Sequence, residues 1–418
     1  MSYKEAQKKY AKIGIDTEKV IKDLGKVAIS LHCWQGDDVG GFETVDGGAS
    51  NGIQTTGNYP GKARTPEQLM QDLEFALKLI PGQHRVNLHA CYGIHKGKVA
   101  DRNELTPAHF KPWVDWAKKN KVGLDFNPTY FSHKNVVDGL TLSSPDPKIR
   151  KFWIEHGVKC LEIADYFAKE LKTFCSINFW CPDGFKDEPS DRLGPRQRMA
   201  DSLDKIFKAA KYDKKRTIPL FESKLFGIGV ESYTVNSHEM VMGYAQSRHE
   251  KTGVIGLLDM GHFHISENVA DKISSFLMYF GKVAFHISRP VRWDSDHVIR
   301  QNDDLRAAAQ EIVKMDPKNF IIALDYFDAS ICRVAAWVLG MRNMQKELLK
   351  AMLTPWKQLT AMQDAAEFTS QLVLQEEYKN YPAEEVWAEF CKRMGVPAGE
   401  EWLKKVQDYE KKVLLPRG

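Results

Sequence analysis

Gly253-Val254-Ile255-Gly256-Leu257-Leu258-Asp259, followed directly by Met260-Gly261-His262, is an apolar run too short for a helix that ends abruptly in an acid and an imidazole. A fully buried strand reads this way, continuous rather than alternating, as a parallel sheet covered on both faces requires. The same form recurs at Val27–Cys33, Arg85–Tyr92, Val122–Pro128, Phe174–Cys181, Ile218–Lys224, Lys282–Arg289 and Phe320–Asp325. Together these make eight runs, the number that a closed parallel α/β barrel needs.

Amphipathic stretches fill the intervals. Thr65-Pro66-Glu67-Gln68 supplies an N-cap, a proline at the first helical position and an acidic first turn, predicting a helix over Thr65–Ile80. Leu105–Asn120, Ser144–Phe167, Arg198–Tyr212, Ser237–Glu250, Ser266–Phe280 and Asp303–Met315 carry apolar positions at helical spacing. The alternation predicts a (β/α)8 TIM barrel over residues 1–330. Ala329–Glu376 and Pro382–Leu414 stay helical, too much chain for one barrel helix, so 331–418 reads as a helical C-terminal extension. Its Trp356, Trp387 and Trp402 need cover, which subunit packing would give.

Composition narrows the partners. A net charge of +4 against 59 basic and 55 acidic residues gives no one-sided field, so nucleic acid and membrane surfaces are set aside and a small molecule is expected. Seven dispersed cysteines without a CxxC pair read as reduced thiols. With no signal-like start and no apolar run of membrane-spanning length, the expectation is a soluble cytoplasmic protein.

Active sites of such barrels lie at the C-terminal ends of the strands, and ligand-type side chains gather there. The fifth run ends in Glu222-Ser223-Lys224, the sixth in Asp259-Met260-Gly261-His262, the seventh in Phe285-His286 and the eighth in Leu324-Asp325; Asp294-Ser295-Asp296 follows in the next loop. Residues two apart share a face of a strand, so Glu222 and Lys224 enter one pocket. Five carboxylates and two imidazoles facing inward would repel unless cations neutralised them, and an oxygen-rich set with some imidazole suits Mn²⁺ or Mg²⁺. Two divalent sites are the economical answer: Glu222, Asp259, His286 and Asp325 for one, His262, Asp294 and Asp296 for the other.

Other residues divide between function and structure. His264 has no further acid beside it and reads as structural. Asp328 competes with Asp325, which is preferred because it directly follows the apolar run. His89, sharing a face with Asn87 and Cys91, has the chemistry to move a proton to or from a hydroxyl, although a satisfied core histidine explains it equally. His32 with Trp34, and Asn178 with Trp180, form aromatic pairs common to sugar sites and to cores alike. The glycine-rich segment Trp34–Arg64 reads as a long functional loop on the same face.

The strings Glu222-Ser223-Lys224-Leu225-Phe226-Gly227-Ile228-Gly229, Asp259-Met260-Gly261-His262-Phe263-His264 and Leu324-Asp325-Tyr326-Phe327-Asp328-Ala329-Ser330 are long and specific, as is the run from His286 through Arg292-Trp293-Asp294-Ser295-Asp296 to His297. With Ile29–Asp38 and Pro397–Leu403, they resemble the L-rhamnose isomerase family over nearly the whole chain. That resemblance implies interconversion of L-rhamnose and L-rhamnulose in L-rhamnose catabolism by a cytoplasmic homotetramer using Mn²⁺, with Mg²⁺, Co²⁺ or Zn²⁺ as alternatives. It implies that Glu222, Asp259, His286 and Asp325 form a structural metal site and His262, Asp294 and Asp296 a catalytic one. Lys224, Asp325 and His89 would then be catalytic, Lys224 polarising the carbonyl-side oxygen, and Trp180, His89 and Lys224 would bind substrate. For the reaction, a metal-assisted hydride shift is favoured over an enediol route with a carboxylate base. A barrel metallohydrolase acting on phosphoesters is the alternative, disfavoured by the near-neutral charge and by Lys224 beside Glu222; a non-catalytic sugar-binding protein would not need two metal sites.

Overall fold

The computed structural model describes residues 1–43, 55–225 and 230–417. Gly47, Gly48 and Gly52 of the glycine-rich loop, and Gly227 and Gly229 of the fifth-strand string, lie outside the described residues. Eight parallel strands close into a barrel: Ile29–His32, His84–His89, Gly123–Asn127, Cys175–Phe179, Thr217–Glu222, Ile255–Asp259, Val283–Ile287 and Phe320–Leu324. Sequence neighbours pair around the ring, and the eighth strand meets the first with Ile322 against Ile29 and Ala323 against Ser30. All eight expected strands are present. The first two stop short of the apolar runs because the chain turns into single 3-10 turns, Cys33–Gln35 and Ala90–Tyr92, which are themselves buried.

The runs look continuously apolar because their outward faces, such as Leu31, Val86, Leu88, Phe126 and Ile177, pack under helices with at most 1% exposure. Inward positions on the first four strands are polar instead, and those around Asp125 are satisfied. Asp125 accepts hydrogen bonds from Arg85 Nε at 2.8 Å, Ser30 Oγ at 2.7 Å, Ser176 N at 2.9 Å and Ser176 Oγ at 2.7 Å, which links strands one to four below the site. Burial alone would raise the Asp125 carboxyl, but the Arg85 guanidinium and the Ser176 donors outweigh it and hold it below the usual carboxylate range.

The helix over Pro66–Leu77 starts on the Thr65 cap as its sequence predicts. Two starts differ. Leu193–Ala209 begins five residues before Arg198, because Asp191 accepts from Leu193 N and Gly194 N, both at 2.9 Å. Ala270–Phe280 begins later than Ser266, where Asn268 caps Ala270 N at 3.0 Å. Helices Tyr3–Ala11 and Thr17–Leu24, opened by Ser2 with Glu5 and by Asp16, precede the first strand, where the sequence reading named no element. A ribbon of Gly184–Phe185 against Tyr233–Thr234 was equally without a sequence signal.

Beyond the eighth strand, Arg333–Met352 packs against Asp303–Lys314 and Pro66–Leu77 in the outer ring, and Trp356–Asp364, Phe368–Tyr378, Ala383–Arg393 and Glu401–Tyr409 follow. Trp387 does not need a partner subunit for cover: it is buried within its own chain, its N–H bonds Ala398 O at 3.1 Å and the Arg342 guanidinium lies 5.2 Å from its ring. Trp356 likewise bonds Ala351 O at 2.8 Å, and Trp402 packs on the core. All seven cysteines are buried and free. Among the described residues no helix is long and apolar enough to cross a membrane.

Candidate active site

The fifth to eighth strands each deliver one group to the same end of the barrel, three of them buried and Asp325 half-buried. Glu222 is the last residue of its strand, Asp259 ends the next, His286 lies in the seventh and Asp325 directly follows the eighth, its N–H on Ile287 O at 3.0 Å. One ligand atom from each of the four lies within 4.8 Å of all the others. Around His286 Nδ1 stand Glu222 Oε2 at 3.4 Å, Asp259 Oδ2 at 3.5 Å and Asp325 Oδ2 at 3.3 Å.

These contacts are not hydrogen bonds. His286 Nδ1, Glu222 Oε1 and Asp259 Oδ2 are buried with no hydrogen-bond partner, a costly arrangement for protein alone and the one expected of donors facing a shared cation. Neighbours aim two of the carboxylates: Asn178 Nδ2 donates to Glu222 Oε2, and Trp34 Nε1 donates to Asp325 Oδ1 at 2.9 Å. Such second contacts orient metal ligands. Residues and chemistry therefore fit a divalent ion.

The second expected set lies alongside but is engaged differently. Asp259 Oδ1 accepts from Gly261 N at 2.6 Å, closing the turn Met260–His262 that returns His262 to the pocket. His262 Nδ1 donates to Ser223 O at 2.7 Å, which turns Nε2 toward Asp294 Oδ2 at 3.3 Å. That same oxygen accepts from Lys224 Nζ at 2.9 Å, while Asp294 Oδ1 has no partner. Asp296 lines the same pocket, on a loop where Arg292 and Asp296 hold left-handed backbones, φ 71° and 42°. Non-glycine residues adopt that conformation at a cost, which the loop offsets through the Arg289 and His297 backbone pairing and Phe327 N on Asp296 O. Among the described residues, the four-donor convergence is confined to Glu222, Asp259, His286 and Asp325.

The charges cannot all be expressed without a cation. Burial pushes Asp259 up to about 6, against His262 and His286 and with help from Glu222 and Asp325. Burial and then Asp294, Asp325 and Asp259 drive Asp296 well above its usual range. Burial would lower His262 and His286, yet the surrounding carboxylates hold both well above the ordinary imidazole range. The pocket thus retains protons where divalent cations would displace them. Burial opposes charge on Lys224 too, but Asp294, Asp296 and Glu222 keep its ammonium charged.

The opposite wall is aromatic, with Trp34, His89, Phe131, Trp180 and Phe327 lining the pocket beside Asn127. Burial lowers His89 to about 3, so its ring is neutral near pH 7; Nδ1 lies 3.3 Å from Thr129 Oγ1. Lys224 Nζ lies 5.2 Å from the centre of the Trp180 ring. His264 is exposed and bonds Ser266 Oγ at 2.7 Å, away from the pocket. Asp328 caps Ser330 N at 2.7 Å and does not line it, in contrast to Asp325. Phe131, Phe327 and Asn127 escaped sequence reasoning; Asn127 had a parity signal on the third strand, whereas Phe131 and Phe327 sit on loops where none exists.

Comparison with known proteins decides among the readings: the family profile described as L-rhamnose isomerase (RhaA) matches residues 1–417. This chain belongs to the L-rhamnose isomerase family. The L-rhamnose isomerase of Listeria innocua is 51% identical to it over 416 residues, covering 99% of this chain and 98% of that protein. The L-rhamnose isomerase of Mannheimia succiniciproducens is 52% identical over 417 residues, covering 100% and 98%. Among solved structures, an L-ribulose 3-epimerase is similar at 13% identity with a TM-score of 0.49, over 77% of this chain and 95% of its own. As a member of the L-rhamnose isomerase family the chain is an enzyme, a sugar isomerase, and the phosphoesterase and sugar-binder alternatives fall away.

Proposed function

We propose that this sugar isomerase interconverts L-rhamnose and L-rhamnulose by a metal-assisted hydride shift between C1 and C2, as a cytoplasmic homotetramer serving L-rhamnose catabolism. The observation that carries the chemistry is the convergence of Glu222, Asp259, His286 and Asp325 on one point, with Lys224 in the same pocket. Those four would hold one divalent cation, and His262, Asp294 and Asp296 a second. Mn²⁺ is favoured, and Mg²⁺, Co²⁺ and Zn²⁺ accept similar donors. Cations bound there supply Lewis acidity to neighbouring sugar oxygens as charge develops on them.

The chain's own side chains do the rest. Lys224, charged and buried, donates to the carbonyl-side oxygen and stabilises the negative charge that grows there. Trp180 offers its ring to the C–H face of the sugar, and the aromatic wall keeps water from the reacting carbons. His89, neutral, exchanges a proton with a sugar hydroxyl as the ring opens. Asp325, with its side chain 20% exposed, is the most accessible of the four carboxylate and imidazole donors and so the one that meets substrate.

We keep 1–330 as the catalytic barrel and 331–418 as the helical extension, of which Arg333–Met352 packs in the outer ring while Phe368, Leu372 and Val373, all more than half exposed, offer an apolar face to other subunits. The decisive assay incubates chelator-stripped and Mn²⁺-reloaded protein with L-rhamnose, L-mannose and L-lyxose and measures ketose. Loss of turnover on stripping and its return with Mn²⁺ is expected. Full turnover by protein shown to be metal-free by elemental analysis would refute the metal dependence, and no ketose from L-rhamnose would refute the substrate.

A further inference from the structure

Arg102 sits outside the pocket, on the 3-10 turn Arg102–Glu104 of the loop that follows the second strand, and is 2% exposed. Its guanidinium is spent almost entirely on one neighbouring loop. Nη1 donates to Thr129 O at 2.8 Å and to Phe131 O, and Nη2 to Ser132 O at 3.1 Å. Nε donates to Glu43 Oε2 at 2.9 Å, from the loop that follows the first strand. The backbone joins in: His156 Nδ1 bonds Arg102 O at 3.0 Å, and His156 Nε2 accepts Thr129 N, also at 3.0 Å.

The segment so gripped forms part of the substrate wall. Phe131 lines the pocket, its ring edge-on to His89 at 5.4 Å and to Trp180 at 5.7 Å. Thr129 Oγ1 faces His89 Nδ1, and Ser132 holds a left-handed backbone at φ 52°. Carbonyls at 129, 131 and 132 lie past the end of the third strand, where no ladder partner receives them, so one planar fork fixes the loop's shape.

We propose that Arg102 is a positioning residue: it locks the loop after the third strand so that Phe131 stands as a wall between His89 and Trp180, with Glu43 tying that lock to the loop after the first strand. The inference rests on the proposed function, since Phe131 is taken to face a bound sugar. It predicts that loss of the lock weakens substrate binding through Phe131 rather than by unfolding or by altering the cation site.

The test is a double-mutant cycle on the Mn²⁺-loaded enzyme with Arg102→Lys, Phe131→Ala and their combination, plus Glu43→Gln alone and with Phe131→Ala, reading KM and kcat on L-rhamnose with melting temperature. Arg102→Lys keeps charge but not the fork, and should raise KM about 10-fold while kcat falls by less than about threefold. In the double variant KM should match that of Phe131→Ala alone, because the two changes remove one interaction. Unchanged KM with a lowered melting temperature would make Arg102 merely structural and overturn the proposal, as would KM effects that multiply. If Arg102→Lys does not fold, the Glu43→Gln and Phe131→Ala cycle decides by the same two outcomes. Wild-type enzyme inactive on L-rhamnose would count against the proposed substrate alone, and the cycle is then read with the aldose it does convert.

Discussion

The indole N–H of Trp34 donates to Asp325 Oδ1 at 2.9 Å across the seam where the first and eighth strands close the barrel. The bond occupies one carboxylate oxygen and leaves Oδ2, 3.3 Å from His286 Nδ1, for the proposed cation. Trp34→Phe keeps the ring and removes the donor, so Mn²⁺ affinity measured by calorimetry should fall by about 10- to 100-fold, the usual loss for an outer contact to a ligand. Unaltered affinity would show that Asp325 is oriented by something else.

Gly261 leaves no room for a side chain beside the pocket. A Cβ built there would stand 2.6 Å from Asp294 Oδ1 and 3.2 Å from Asp259 Oδ1. Gly261→Ala should therefore push Asp294 off its position and lower kcat by at least about 10-fold while the melting temperature moves little, because the clash is with a side chain at the pocket rather than with the core. A fully active Gly261→Ala enzyme would mean that Asp294 yields without consequence.

Acid sensitivity follows from histidines buried in neutral form. Burial lowers His84 to about 4 and His156 to about 3, while an unfolded histidine titrates near 6.5. The unfolded chain therefore takes the proton first. The contribution of each residue is complete above about pH 6.5 and is lost as pH falls toward the folded value, by about 1.4 kcal/mol per pH unit per proton. His84→Gln preserves a donor where Nε2 bonds Pro81 O at 2.9 Å but does not titrate. In metal-free protein its melting temperature should fall less steeply than wild type between about pH 6.5 and 4.5; parallel curves would contradict the assignment.

Lys224 and the hydrogen transfer can be tested together. Lys224→Met should slow turnover by about 100-fold or more, since it removes a fixed cation beside a developing oxyanion. In D₂O, a hydride shift should leave L-rhamnulose with little deuterium at C1, because the hydrogen passes from carbon to carbon. Substantial label per turnover, read by mass spectrometry, would reject the shift in favour of an enediol.

The barrel was legible because its strands are buried on both faces and so leave continuous apolar runs such as Ile255–Asp259. The four-donor cluster was legible because each member stands at or next to the C-terminal end of a strand. What sequence could not supply was whatever depends on distance between loops. Arg102 and Phe131 are close only through turns, and Asn178 reaches Glu222 from a neighbouring strand. The cover over Trp387 comes from Ala398 and Arg342, which no periodicity foretells. Asp294 on Lys224 is likewise a loop contact.

The seam between the first and eighth strands also sets when the proposed cation site can form. The four donors lie between Glu222 and Asp325, so a nascent chain on the ribosome has exposed four strands before the first of them is made and must release the eighth before the set is whole. Until then the first strand has one unpaired edge and Trp34 has no carboxylate to hold. Capture of a cation at the proposed site would thus be a late event in the birth of the protein, and any product truncated before residue 325 lacks the complete donor set.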